Sequence, residues 1–192
     1  QRKAIFEQRI EFMSAPDVSE TITEMRHDVV EDVVSTAMPP KSYADQWDIP
    51  ALEETVAATF GIRPDIKAWA AEEGVADEEI IERLKTETDT VYAAKAADIG
   101  PERMRWFEKQ VLLQLLDKEW REHLQQIDQL RSVIHLRSYG QRDPLNEFKS
   151  EAFSLFSDLI SQLRKSVTGT LMNIQIQQGP PPQQRQPEHQ SA

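Results

Sequence analysis

Residues 115–153 read LLDKEWREHLQQIDQLRSVIHLRSYGQRDPLNEFKSEAF. Within and just before this stretch, Trp106, Leu113, Leu116, Trp120, Leu124, Ile127, Leu130 and Ile134 recur mostly three or four residues apart. That spacing puts them on one side of a helix running from Pro101 to Arg137. Such a helix is about 55 Å long at 1.5 Å per residue. Ser138, Tyr139, Gly140, Gln141 and Arg142 interrupt the pattern. Asp143 can then cap a new helix, Pro144 suits its first position, and Glu147 lies near its positive end. Phe148, Phe153, Phe156, Leu159, Leu163, Val167, Leu171 and Ile174 form its apolar stripe. Two long stripes joined by about five residues pack most simply antiparallel. The expected fold is all-α: a long antiparallel helical hairpin with a smaller helical subdomain before it.

The upstream residues supply that subdomain. Residues 1–13 have the end of a helix, with Ile5, Phe6, Arg9, Ile10 and Met13 on one face, and Ala15-Pro16 stops it. There is neither an initiator Met nor a cap before this helix, so the start is expected to be a cut inside a longer chain. Asp17-Val18-Ser19-Glu20 has the form of a capping box. From there Ile22, Met25, Val29 and Val33 mark a helix ending before Pro39-Pro40. Pro50 begins a shorter helix with Leu52, Val56 and Phe60 inward, and Gly61 supplies its left-handed stop. Another short helix is expected from Pro64 to Glu73. Trp47, Phe60 and Trp69 are the expected aromatic core of this region. A longer helix spans Asp77 to Asp98, with Ile80, Ile81, Leu84, Val91 and Tyr92 inward; Thr86 to Thr90 is poor in helix formers and predicts a frayed turn. From Gln177 onward, Gln, Pro, Arg, Ser and His predict a disordered or polyproline-like tail.

Composition narrows the function classes. Of 192 residues, 39% are hydrophobic and 29% charged, values that suit long amphipathic helices with wide solvated faces. The net charge is −11, which argues against sequence-independent nucleic-acid binding. Residues 15–102 carry 21 acids and 7 bases, whereas residues 103–150 carry 7 acids and 9 bases, so the two regions are expected to meet different surroundings. With no cysteine there is neither a disulfide framework nor a thiolate metal site, a pattern that fits a reducing cytoplasm. No apolar run is long enough for a transmembrane helix, and the first residues lack the apolar core of a signal peptide.

Enzyme templates fail in turn. There is no GxxxxGK[ST] loop, and the six glycines are scattered. His27, His123, His135 and His189 include no i, i+4 pair, and HExxH is absent. Glu119 and His123 stand one helical turn apart and read as a surface ion pair or hydrogen bond. The runs Glu72-Glu73 and Asp77-Glu78-Glu79 read as solvated helix ends. The unusual feature is the turn, where His135, Arg137, Ser138, Tyr139, Gln141 and Arg142 put cations and one aromatic at the end of a rod. Composition leaves two readings open: an exposed polar connector, or a probe that delivers a tyrosine and several donors into another molecule.

The long stretch also resembles a known family. The pattern LDxxWxEHLxxxDxLRxxIxLRxYxQxDPxxEF/YKxE, long and specific, is found here as Leu116-Asp117, Trp120, Glu122-His123-Leu124, Asp128, Leu130-Arg131, Ile134, Leu136-Arg137, Tyr139, Gln141, Asp143-Pro144, Phe148-Lys149 and Glu151. It closely resembles the SecA family of motor ATPases of bacterial preprotein export. DVSETI at Asp17–Ile22 and the later MPPKSYADQWDIP look like the SecA helical wing. The resemblance covers residues 1–178.

By that resemblance, residues 1–14 are the distal end of a long scaffold helix, 15–100 a helical wing, 101–176 the two-helix finger, and 177–192 the start of a C-terminal linker. The family's finger enters the cytoplasmic mouth of the SecY channel, and its loop contacts the translocating preprotein. The matching loop is Arg137, Ser138, Tyr139, Gly140, Gln141 and Arg142, with Tyr139 at the position implicated in gripping or pushing. The finger is also described as an intramolecular regulator of ATP hydrolysis. The implied partners are the SecY channel complex, the preprotein with its signal peptide, and nucleotide-binding domains of the same protein, at the inner face of the bacterial plasma membrane. Nucleotide-binding, preprotein cross-linking and cysteine-rich zinc motifs are absent from these 192 residues. ATP and Mg are therefore expected elsewhere in the parent, with the zinc tail absent and no cofactor and no catalytic centre here. Gly140 departs from the alanine common in the family, which loosens the loop because glycine lowers helix propensity by roughly 1 kcal/mol.

Overall fold

A computed structural model describes residues 1–39, 42–137 and 143–175, with the side chains of 135–137 left aside. Among the described residues the chain is all-α, with no strand. Its helices are α1 (Arg2–Ser14), α2 (Ser19–Ala37), α3 (Ile49–Phe60), α4 (Ile66–Ala70), α5 (Asp77–Ile99), α6 (Pro101–Arg137) and α7 (Pro144–Met172), plus a 3₁₀ turn at Ala44–Gln46. The expected tail beyond 175 lies outside the described residues.

Helix ends follow local chemistry closely. Asp48 accepts the Ala51 N–H at 3.1 Å ahead of Pro50, and Asp143 accepts the Leu145 N–H at 3.0 Å ahead of α7. Asp65 caps α4 through the Ala68 N–H at 3.0 Å. These bonds satisfy donors that a helix start leaves without intrahelical partners. The capping box expected at Asp17–Glu20 does not form: Val18 occupies the cap, and Asp17 accepts only the Ser19 N–H while pairing with Arg105 at 2.7 Å. The helix expected from Pro64 to Glu73 shrinks to the five residues of α4. No frayed turn occurs at Thr86–Thr90. The threonine hydroxyls bond back to carbonyls within α5, and Thr88 packs fully buried, so tertiary contact overrides weak propensity.

α2 is the centre of the body, packing against α3, α5, α6 and α7. Val29, Val30, Val33 and Val34 are all buried, an apolar arc wide enough to meet neighbours on several sides. Leu52, Val56 and Phe60 of α3 complete the core on one side; Ile80, Leu84 and Tyr92 of α5 complete it on the other. Of the three aromatics expected inside, Phe60 alone is fully buried, while Trp47 and Trp69 are half-buried and lie over the core as a cover.

α3 ends on Gly61 at φ +69°, beside the end of α7. Asn173 donates from Nδ2 to the carbonyls of Thr59 (3.0 Å) and Gly169 (2.9 Å), stitching the two helix ends together. A Cβ on Gly61 lies 2.7 Å from Asn173 Oδ1, whereas one on Gly74 (φ +79°) meets nothing within 4 Å. Both substitutions by alanine force a left-handed conformation, costing about 1–2 kcal/mol. Gly61→Ala is expected to cost more than Gly74→Ala in urea denaturation, the difference measuring the Asn173 stitch; equal losses contradict it.

α6 and α7 share the most extensive helix–helix interface. His123 meets Phe156, while Leu130 and Ile134 cluster with Ala152 and Phe148, so rising numbers on α6 pair with falling numbers on α7. The two helices therefore run antiparallel. The buried side of α6 is not the expected stripe. It passes through Met104, Glu108, Leu112, Leu116, Glu119, His123, Leu130 and Ile134; Leu113, Trp120 and Leu124 sit on its shoulder, and Trp106 is 60% exposed. On α7, Phe153 is likewise exposed, and Ala152 faces the partner helix in its place. On α1, Ile5 and Phe12 are buried while Phe6, Ile10 and Met13 face outward.

Candidate interaction arm and the joint at its base

The distal parts of α6 and α7 form an arm. Ile127, Leu130 and Ile134 of α6 pack with Phe148, Ala152 and Leu155 of α7 in a small apolar cluster of their own. This cluster carries the turn expected to be functional. Arg137 ends α6, but its side chain and the residues Ser138, Tyr139, Gly140, Gln141 and Arg142 lie outside the described residues. The described residues on either side are the apolar cluster and the Asp143 cap with Pro144 in the first turn of α7. Val133, Leu145 and Phe153 stand exposed along the arm.

The arm's base meets α2 and α5 through polar contacts. Arg26 of α2 is 3% exposed; its Nε and Nη2 donate to Asp89 of α5 at 3.2 and 2.7 Å, and its guanidinium lies 4.3 Å from the centre of the Tyr92 ring. His27 adds a second contact to Asp89 at 2.9 Å. Tyr92 donates its hydroxyl to Glu108 of α6 at 2.7 Å. Burial alone raises the Asp89 carboxyl, but hydrogen bonds from Arg26 and His27 outweigh it and hold the group below the usual carboxylate range. Glu108 moves the other way. Burial pushes it above its ordinary value, and its second oxygen has no hydrogen-bond partner. Burial together with the Glu108 charge also pushes the Tyr92 phenol up, keeping it protonated as the donor.

A pH prediction follows. A carboxyl whose folded-state pKa exceeds its unfolded value contributes stability at low pH and loses it as pH rises through the folded value. Glu108 is therefore expected to destabilise the chain progressively above the ordinary glutamate range. Glu108→Gln should remove that slope, measured as the difference between the two proteins' urea-unfolding free energies from pH 5 to pH 8. Parallel pH profiles contradict the assignment.

α1 is fastened along α6 in the opposite direction. Arg9 forks onto Asp117 at 2.7 and 3.1 Å, and Lys109 donates to the carbonyls of Met13 (2.5 Å) and Ala15 (2.9 Å). Near the arm's root, Glu119 and His123 are 5% and 1% exposed. The surface pair expected of them is thus incorrect. His123 faces Gln1 across 3.1 Å, and its ring lies between Trp120 and Phe156. Sequence reading missed Glu108, Glu119 and His123 as interior residues because polar side chains were assigned to solvent, although all three keep helical spacing with Leu112 and Leu116. Among the described residues no group of three or more His, Asp or Glu is placed to hold a metal ion, and no helix is long and apolar enough to cross a membrane.

Comparison with known proteins gives one consistent answer. A family described as the SecA Wing and Scaffold domain matches residues 1–175. The protein translocase subunit SecA of Hyphomonas neptunium is 58% identical over 186 residues, 97% of this chain and 20% of that protein. The SecA subunit of Caulobacter vibrioides is 53% identical over 176 residues, 92% of this chain and 19% of its own length. Protein translocase subunit SecA 1 of Nitrobacter hamburgensis is 50% identical over 187 residues, 97% of this chain and 19% of that protein. The chain spans about a fifth of the length of these relatives.

Proposed function

The chain belongs to the SecA Wing and Scaffold domain family, and on that premise we propose that it is a non-catalytic, force-transmitting module of a protein-translocation motor. Residues 15–100 act as the wing, and 101–176 as a finger whose tip, Arg137 to Arg142, engages a translocating preprotein at the mouth of the SecY channel. ATP hydrolysis belongs to nucleotide-binding domains of the parent protein, and the motor works at the cytoplasmic face of the plasma membrane. The observation that carries this reading is the family match over residues 1–175. The geometry supports it: two antiparallel helices project an apolar-cored arm, braced at its base against α1, α2 and α5.

The physical logic is one of weak, unspecific grip. A polypeptide of arbitrary sequence must be held and released at each stroke, and an aromatic flanked by cations contacts most side chains modestly. Rigidity lies in the two helices that carry the tip. The experiment is preprotein transport by a full-length relative carrying Tyr139→Ala. Transport at the wild-type rate overturns the role of the tip. In a second assay this chain is added to a parent protein lacking it, and ATP turnover is followed. Turnover independent of the added chain agrees with transmission, whereas lowered turnover identifies the module as a regulator that restrains hydrolysis.

A further inference from the structure

The apolar interior is divided in two along the arm. The body cluster takes Leu112 and Leu116 from α6 and Leu159 and Leu163 from α7, with Trp120 and Phe156 at its edge. The distal cluster of Ile127, Leu130, Ile134, Phe148, Ala152 and Leu155 comes from α6 and α7 alone. Between the two clusters α6 places buried His123, and Gln1, itself exposed, reaches it from beside the start of α1.

Gln1 binds both helices of the arm. Its Nε2 donates to the Ala152 carbonyl at 2.9 Å, which leaves its Oε1 as the atom facing His123 Nε2 at 3.1 Å. An amide oxygen accepts, so that ring nitrogen carries the hydrogen and Nδ1 is bare. Nδ1 is buried and has no hydrogen-bond partner. Burial holds the histidine below its usual range, favouring the neutral ring. The ring is stacked on Trp120 at 5.3 Å and meets the edge of Phe156 at 5.9 Å. Leucine at position 123 allows one continuous apolar seam. Polar groups in such a layer give up burial energy for direction, since a hydrogen bond specifies an orientation and apolar contact does not.

We propose that Gln1, His123 and the Ala152 carbonyl form a clasp through which α1 sets the direction of the distal arm relative to the body. The clasp lies where the arm passes from the body cluster to its own, so a small displacement of α1 at this layer is magnified toward the tip. Without it, the distal cluster still joins α6 to α7 but has no directional link to α1. This adds to the proposed function a means of aiming the arm, and its test needs neither transport nor ATP.

Because the chain has no cysteine, spin labels can be placed at Glu20→Cys on the body and Asp128→Cys on the distal arm, both exposed sites. Glu20→Cys with Glu87→Cys reports on the body alone. A single narrow distance is expected for the Glu20–Asp128 pair in the otherwise unchanged chain. It should be lost in Gln1→Leu and in His123→Leu but retained in His123→Gln, which keeps a donor of similar reach. The body pair should stay narrow throughout. Gln1→Leu decides the matter if His123→Leu fails to fold, because Gln1 is an exposed residue whose replacement leaves the buried layer intact. An unchanged Glu20–Asp128 distance in Gln1→Leu, or equal broadening of the body pair, overturns the clasp.

Discussion

Alanine at position 139 in a full-length SecA relative is expected to lower preprotein transport roughly thirtyfold or more, in line with the loss of about 2 kcal/mol or more when a central aromatic anchor is truncated. The reasoning begins with residue chemistry. Tyrosine offers a broad apolar face and one hydroxyl while losing only two side-chain torsions, so it can grip many sequences at small entropic cost. Its neighbours Arg137 and Arg142 add long-reaching donors but little apolar area. Tyr139→Phe should retain most of the transport, because ring area rather than the hydroxyl carries the contact. ATP turnover without preprotein should be unchanged in both variants, since the change lies away from the proposed hydrolysis site. Wild-type transport by Tyr139→Ala reduces the turn to a connector. A rise in basal turnover moves the role from gripping to regulation.

Phe60→Ala is expected to destabilise the chain by about 3–5 kcal/mol, the range for truncating a fully buried phenylalanine. Phe60 is 1% exposed and belongs to the central cluster, at the end of α3 that Asn173 ties to α7. A cavity there has helices on several sides and little freedom to collapse. For a domain of this size the loss corresponds to a melting temperature lower by roughly 6–20 °C. Trp106→Ala provides the contrast. Trp106 is the larger residue but is 60% exposed, with its ring edge-on to Phe107, so its truncation should shift stability by less than about 1 kcal/mol. Thermal and urea unfolding of the two variants settle the comparison. Similar losses contradict the packing described for α6.

These two residues show how far a linear reading reached. Phe60 was legible because Leu52, Val56 and Phe60 repeat at four-residue spacing between Pro50 and Gly61, and α3 has one neighbour-facing side. Trp106 misled because α6 has apolar residues around much of its circumference, so more than one stripe satisfies helical spacing. The side that is buried includes Glu108, Glu119 and His123, which count against it in any polarity-based choice. Two of them meet partners on other elements, and the third has a cation beside it. Tyr92 donates to Glu108, and Gln1 meets His123. Glu119 lies beside the Lys118 ammonium at 3.8 Å. The same holds for Thr86–Thr90, where low propensity argued for a frayed turn, whereas Thr88 is fully buried and the adjacent Asp89 pairs with Arg26 of α2.

Local chemistry therefore settled the all-α class, the order of the helices and most of their ends. Caps such as Asp48, Asp143 and the left-handed Gly61 act within a few residues, and helical spacing is a property of one segment. The long SecA-like pattern marked the tip from Arg137 to Arg142 as the part to test. Packing chose the rest: which side of α6 turns inward, which of the aromatics bear load, and where α1 fastens to the arm. Those choices depend on partners up to 151 residues apart, as in the bond from Gln1 to Ala152. The free energy of burying a face is shared by every helix that covers it, so no single segment encodes it.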